Sequence, residues 1–224
     1  MRKRVLQLGV VTIAAAGAMA FSMGGWAVIT VDDLPRALTV GQPMSIGFIV
    51  RQHGHTLLDH LKPTLVASDA KGETSGVRAS AVPSGPAGHY VATLVVPRAG
   101  DWTVTINSGF GDSHVTLYPI PASTAAPRNP GDDSPADVGR RLFVAKGCVT
   151  CHVHDATAGN NSLAVGPNLT PRRYQADYLA KLLANPSIAR TPGQQFEMPN
   201  LQLKAGEIAA IVAFINVDRQ FSTR

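Results

Sequence analysis

Two cysteines and a histidine stand together in Lys146-Gly147-Cys148-Val149-Thr150-Cys151-His152, and these are the only cysteines in the 224-residue chain. Two thiols at this spacing serve a redox dithiol, half of a zinc site, or covalent attachment of a haem. A thioredoxin-like dithiol belongs beside a βαβ pattern, and none is apparent here. A zinc site needs two further ligands at suitable spacing. The adjoining histidine selects the third reading, because C-x-x-C-H marks a c-type haem attachment site. Each thiol S–H can add across one haem vinyl group, and the two-residue gap lets one turn of chain reach both. The imidazole of His152 is then placed as the proximal iron ligand.

One histidine leaves the opposite iron position open. Downstream lies Phe196-Glu197-Met198-Pro199-Asn200, and Met198 is the only methionine after the haem motif. A thioether is a soft, neutral ligand that favours ferrous iron, so Met/His ligation raises the potential and suits electron transfer. Pro199 restricts Met198 to extended backbone, as on a loop. With both axial positions filled, no substrate reaches the iron. The sequence therefore predicts an electron carrier or electron-transfer subunit rather than an enzyme, with one covalently bound haem c and no catalytic residue. A haem enzyme or gas sensor would require Met198 to dissociate.

His154 lies too close to His152 to reach the other haem face and is expected to be an exposed polar residue. Five further histidines, His53, His55, His60, His89 and His114, fall in the N-terminal half. Imidazole suits copper, so a copper-handling protein with the haem as reductant is the alternative reading. Their spacing follows no recognisable template.

The elements that must position these groups follow from periodicity. From Ser134 onward the pattern is helical. Ser134-Pro135 is an N-cap followed by proline at the first helical position. Val138, Leu142 and Phe143 then share a face. Tyr178, Leu179, Leu182 and Leu183 mark a second helix, which stops at Asn185 before Pro186. Ile208, Ile211, Val212 and Ile215 mark a third.

Residues 26–119 instead show short apolar, β-branched runs between Gly, Pro and Asp turns. Strands are expected at 26–31, 44–50, 64–68, 77–82, 89–96, 102–107 and 114–118. Trp102, Val104 and Ile106 alternate with Thr103 and Thr105, as in a half-buried strand. Seven short strands in under a hundred residues suggest an antiparallel immunoglobulin-like sandwich. Proline-rich residues 120–134 read as an extended, solvated linker that would let the haem domain swing. The expected organisation is thus two domains, an all-β sandwich (26–119) followed by an all-α haem domain (135–224).

Residues 1–25 read as a targeting segment. Arg2, Lys3 and Arg4 precede an apolar run, and Ala18-Met19-Ala20 fits a small-x-small cleavage site. The favoured reading is a cleaved signal peptide. The alternative is an uncleaved membrane anchor, since the apolar run continues to Val31. Both place the protein in the periplasm or on the outer face of the cytoplasmic membrane. Leaving out these three cations takes the formal charge from +5 to +2, so charge implies no nucleic-acid partner. Redox proteins are the expected partners, a membrane oxidase or reductase complex among the candidates, in or beside a respiratory or photosynthetic chain.

From Ala136 to the C-terminus the chain resembles the class I cytochrome c family. Gly139-x-x-x-Phe143 is similar to that family's N-terminal helix contact, which implies Ile211 and Phe214 as partners on the last helix. Gly166-Pro167-Asn168-Leu169 resembles the family's loop. The resemblance implies that the Pro167 carbonyl orients His152 and that Leu169 packs on the haem. It also implies a propionate partner in Arg172 or Arg173, without choosing between them. Lys204 and Gly206 depart from the pattern and make a poor helix start, so fraying is expected there. The N-terminal half resembles FixH-like and YtkA-like sandwich domains in Trp26-Ala27-Val28-Ile29-Thr30-Val31, in Val50-Arg51-Gln52-His53-Gly54 and in the Pro97-x-x-Gly100-x-Trp102 approach to a strand.

Overall fold

The computed structural model describes residues 25–69, 76–124, 133–157, 160, 162–170, 173–190, 193 and 196–217. The targeting segment lies outside the described residues except for Gly25, and so do residues 125–132 of the linker. Among the described residues no helix is long and apolar enough to cross a membrane.

Eleven strands form a two-sheet sandwich: β1 (Ala27–Val31), β2 (Leu38–Thr39), β3 (Pro43–Gln52), β4 (Thr56–Leu57), β5 (Thr64–Asp69), β6 (Val77–Ser80), β7 (Val82–Pro83), β8 (His89–Val95), β9 (Gly100–Asn107), β10 (His114–Thr116) and β11 (Ile120–Ser123). One sheet runs β1-β3-β8-β7 with β4 also on β3. The other runs β2-β11-β9-β5-β6 with β10 also on β9. Every pair is antiparallel except β2 with β11, which is parallel. Period-two alternation aims Trp102, Val104 and Ile106 inward against Phe48, Val50, Leu65 and Tyr90. Buried ring polar groups are satisfied: Trp102 Nε1 donates to the Arg98 carbonyl at 3.1 Å, and Tyr90 Oη donates to the Leu58 carbonyl at 2.7 Å.

The sandwich extends beyond residue 119. Ile120 and Ala122 are buried, and β11 pairs with Trp102 and Gly100 of β9. β2 pairs with β11 only at Ala122 and Ser123, so Pro121 has no partner on that side and is tolerated there; the proline-rich composition hid a strand.

Three helices follow: α1 (Pro135–Ala145), α2 (Ala176–Ala184) and α3 (Ala205–Ile215). Ser134 caps α1 by accepting from the Asp137 N–H at 3.1 Å. α1 crosses α3 at Gly139, where a Cβ would lie 1.9 Å from the Ala210 carbonyl oxygen and 2.8 Å from Phe214 Cβ. α3 starts at Ala205 with a cap in place. Glu207 supplies the cap that Lys204 lacks, its carboxylate accepting from the Lys204 N–H at 2.9 Å.

The two domains share one continuous apolar core, which corrects the expectation of a freely swinging haem domain. Strand β1 is buried along its whole length, because the sandwich core takes one face and the helical domain covers the other. Gly147, with φ +82°, meets it: a Cβ there would lie 2.5 Å from Val28 Cγ1 and 2.7 Å from the Ile29 carbonyl oxygen. Beside this contact Lys146 is buried. Its Nζ donates to the carbonyls of Val31 and Asp32 at 2.8 and 2.7 Å and pairs with Glu207 at 2.8 Å. Further contacts join the domains elsewhere. Tyr118 Oη donates to the Ala156 carbonyl, the Arg140 guanidinium lies 4.8 Å from the Tyr118 ring centroid, and the Thr116 N–H donates to Asn160 at 3.1 Å.

Two predictions follow from these charged groups. Lys146→Ala strands the Glu207 carboxylate in the interface and costs about 3 kcal/mol or more; chemical denaturation measures it, and an unchanged midpoint contradicts the assignment. His89 Nε2 lies 2.7 Å from Asp32, and its Nδ1 faces the Ser84 carbonyl. Both partners are acceptors, so only the imidazolium satisfies both. Burial lowers the His89 pKa, but Asp32 and Ser84 outweigh it and the net shift is upward from 6.5. A raised folded-state pKa gives stability that is fully present below the unfolded value and lost as pH rises through the folded one. Unfolding free energy should therefore decline as pH climbs above 6.5, and His89→Gln should flatten that decline; an equally steep profile in the variant removes His89 from the account.

Candidate functional site

The turn after α1 places the first three site residues. Gly147 ends the helix in the left-handed conformation, which glycine adopts without steric cost. A single 3₁₀ turn, Cys148–Thr150, then closes, with the Cys151 and His152 N–H groups both donating to the Cys148 carbonyl at 3.2 and 2.9 Å. Cys148 is buried, Cys151 is half-buried, and both are free thiols. Burial, with the neighbouring Cys151 second, pushes the Cys148 thiol up to about 12; burial pushes Cys151 up to about 11. Burial thus favours the neutral S–H form of both thiols.

His152 is fixed by its other ring nitrogen. Nδ1 lies 2.9 Å from the Pro167 carbonyl, so Nδ1–H donates and Nε2 carries the free lone pair. Burial lowers the His152 pKa against the raising effect of that carbonyl, which favours the neutral imidazole. Gly166 makes room for the ring: a Cβ there would lie 2.6 Å from His152 Cε1. The loop is held by Gly166 N–H to the Cys151 carbonyl and Leu169 N–H to the Val153 carbonyl, each at 2.9 Å.

These groups open onto one cavity of about 590 Å³. Its wall includes Cys148, Cys151, His152, Pro167, Leu169 and Met198, with Leu179, Leu183 and Ile211 completing an apolar lining. Met198 comes from residues 196–203, which form neither helix nor strand. Two thiols, an imidazole with its lone pair free and a thioether facing one apolar cavity are a donor set that fits a haem.

Of the two arginines expected near a propionate, Arg172 lies outside the described residues, and Arg173 is described but is not part of the cavity wall. Among the described residues the cation in the wall is Arg190, whose Nε donates to Glu197 at 2.6 Å and whose Nη2 donates to the same carboxylate. His154 is buried, not exposed, its ring 4.3 Å from that of Phe214 and 5.9 Å from that of Phe143. Sequence periodicity could not show this, because His154 lies outside any helix. Trp26 and Val28, from the sandwich, also line the cavity. The signal for them was the run Trp26–Val31, apolar except for Thr30.

The sandwich histidines do not converge. Among the described residues no three His, Cys, Asp or Glu side chains form a metal-sized group. His53 packs on Trp26, His55 contacts the Glu197 carbonyl, His89 pairs with Asp32, and His114 contacts the Asp112 carbonyl. The copper reading thus lacks a site among these residues.

Among solved structures the chain is similar to the Lin-41 filamin domain, at 16% identity over 44% of this chain and 93% of that one, with a TM-score of 0.35. It is also similar to FdeC, an Escherichia coli adhesin, at 22% identity over 43% of this chain and 31% of that one, TM-score 0.33. A superoxide reductase (neelaredoxin) from Ignicoccus hospitalis aligns at 15% identity over 46% of this chain and 86% of that one, TM-score 0.31. At such scores these likenesses add nothing to the sheet topology described above. No curated protein matches the chain. Residues 136–217 match the family model Cytochrome c, and this match, with the helical fold and cavity just described, supports a cytochrome c domain in this part of the chain.

Proposed function

We propose that the protein is an extracytoplasmic mono-haem c-type cytochrome that passes single electrons between redox proteins, in or beside a respiratory or photosynthetic chain. One observation carries the reading: Cys148, Cys151, His152 and Met198 line a single cavity, with His152 held by Pro167 so that Nε2 is the available nitrogen. Haem, when bound, supplies the one-electron ferric/ferrous couple. The chain's own residues hold and tune it. Cys148 and Cys151 would anchor it through thioether bonds, each S–H adding across one vinyl group with no atom lost, and His152 Nε2 and the Met198 sulfur would hold its iron. Leu169, Leu179, Leu183 and Ile211 keep water from the cavity, and an apolar surround favours the less charged ferrous state. Pro167 is a positioning residue, since its carbonyl fixes the imidazole tautomer.

Export follows from the targeting segment and from the chemistry of thioether attachment, and partners of matching potential dock transiently where the haem edge meets solvent. The sandwich belongs to this reading as a FixH-like or YtkA-like module fused to the carrier.

The test is expression with a working haem-ligation system. The protein should be coloured and keep its haem through denaturing electrophoresis, whereas Cys148→Ser with Cys151→Ser should release it. Met198→Ala should keep the colour, bind carbon monoxide when reduced, and lower the midpoint potential by a sizeable part of the roughly 0.8 V span that axial ligation covers. Colourless wild-type protein would end the proposal. A Met198→Ala variant with unchanged potential would remove Met198 from the iron.

A further inference from the structure

The segment bearing Met198 has no regular secondary structure of its own, so its position comes from what it packs against. Much of that surface belongs to the sandwich. The hairpin turn between β3 and β4 has His53 at φ +51° and Gly54 at φ +81°, the two-positive-φ geometry of a tight β-hairpin. The turn is closed by His55 N–H to the Gln52 carbonyl at 3.0 Å. This turn points at the loop. Gly54 abuts Pro199, the residue after Met198: a Cβ on Gly54 would lie 2.7 Å from Pro199 Cγ. His55 Nε2 lies 3.1 Å from the Glu197 carbonyl oxygen, the residue before Met198, and donates to it. Phe196 packs against Trp26 and His53 with centroids 6.0 and 6.2 Å apart, and those two rings are 5.0 Å from each other. Both flanks of Met198 are therefore gripped by residues more than 140 positions earlier in the chain.

We propose that the sandwich is a working part of the haem site: Trp26 and the His53-Gly54-His55 turn are positioning residues that hold Met198 against the iron. This rests on Met198 being the axial ligand, as proposed above. The physical reason is that a loop holds a ligand accurately only when neighbouring groups lock it. The bond from a neutral thioether does not itself immobilise the irregular chain of residues 196–203. A rigid β-turn does, and it does so without touching the iron. The cytochrome domain alone would then leave Met198 free to leave, whereas the whole chain keeps the sixth position closed. The observations also give the Val50–Gly54 motif a role that the electron-transfer chemistry alone does not.

The experiment uses the full-length holoprotein. In ferric protein, the sulfur-to-iron charge-transfer band reports Met198 ligation; in ferrous protein, carbon monoxide binding reports an open position. His55→Ala and Trp26→Ala should each weaken the band, increase the carbon monoxide-reactive fraction severalfold and lower the midpoint potential. His55→Gln, which can still donate to the Glu197 carbonyl, should restore all three towards wild type. Val82→Ala, at an exposed site on β7, should leave them unchanged. His55 is at an exposed contact, so its variants report positioning even if Trp26→Ala misfolds. Unaltered band, potential and gas reactivity in His55→Ala and in folded Trp26→Ala would overturn the proposal. Equal losses in Val82→Ala would overturn it too, by exposing a general loss of stability. Absence of the band in the unsubstituted protein would instead overturn Met198 ligation itself, and this inference with it.

Discussion

The close seating of β1 on the turn that begins the cysteine motif is the constraint from which the rest of the structure follows. Gly147 is required there because Val28 and the Ile29 carbonyl occupy the space of a side chain. Lys146 satisfies the carbonyls at the end of that strand and carries its charge to Glu207 at the start of α3. A single lysine thus ties an edge strand, the motif and the last helix. Its desolvation is offset by three close acceptors, which is the condition for a buried cation to be tolerated.

With that seating fixed, the cavity has walls from both domains. α1 and α3 cross closely at Gly139 and set the back of it. The Gly166-Pro167 loop fixes the orientation of His152. The segment from Phe196 to Asn200 brings Met198 to the same space, backed by the sandwich. The haem-binding and β domains are therefore not a carrier and a tether in series. They are two parts of one enclosure, and the Cys148–His152 segment lies at their junction.

How much of this could be read beforehand depends on whether the signal was local. The cysteine motif, Met198, the Gly166–Leu169 loop and the three helices were legible because each is a short pattern with its own chemistry or period. The inward alternation of β9 was legible for the same reason. The strand Ile120–Ser123 was not, because Pro121 and the prolines around it imitate a linker while its register is set by β9 and β2. His154 was misjudged because burial between Phe143 and Phe214 is decided by packing across the chain. Arg190, which lines the cavity, carried no signal, since no motif in the sequence surrounds it. The run Trp26–Val31, apolar except for Thr30, held the missing clue: an edge strand apolar on both faces must be covered on both, and only the helical domain was available to cover it.

The central claim is that this cavity holds an iron porphyrin bound axially by the imidazole of His152 and the sulfur of Met198. X-ray absorption at the iron edge of the purified full-length protein tests it most directly. The account predicts one sulfur scatterer and one imidazole in addition to the porphyrin nitrogens. A shell of nitrogen and oxygen alone, or a five-coordinate iron, would contradict it.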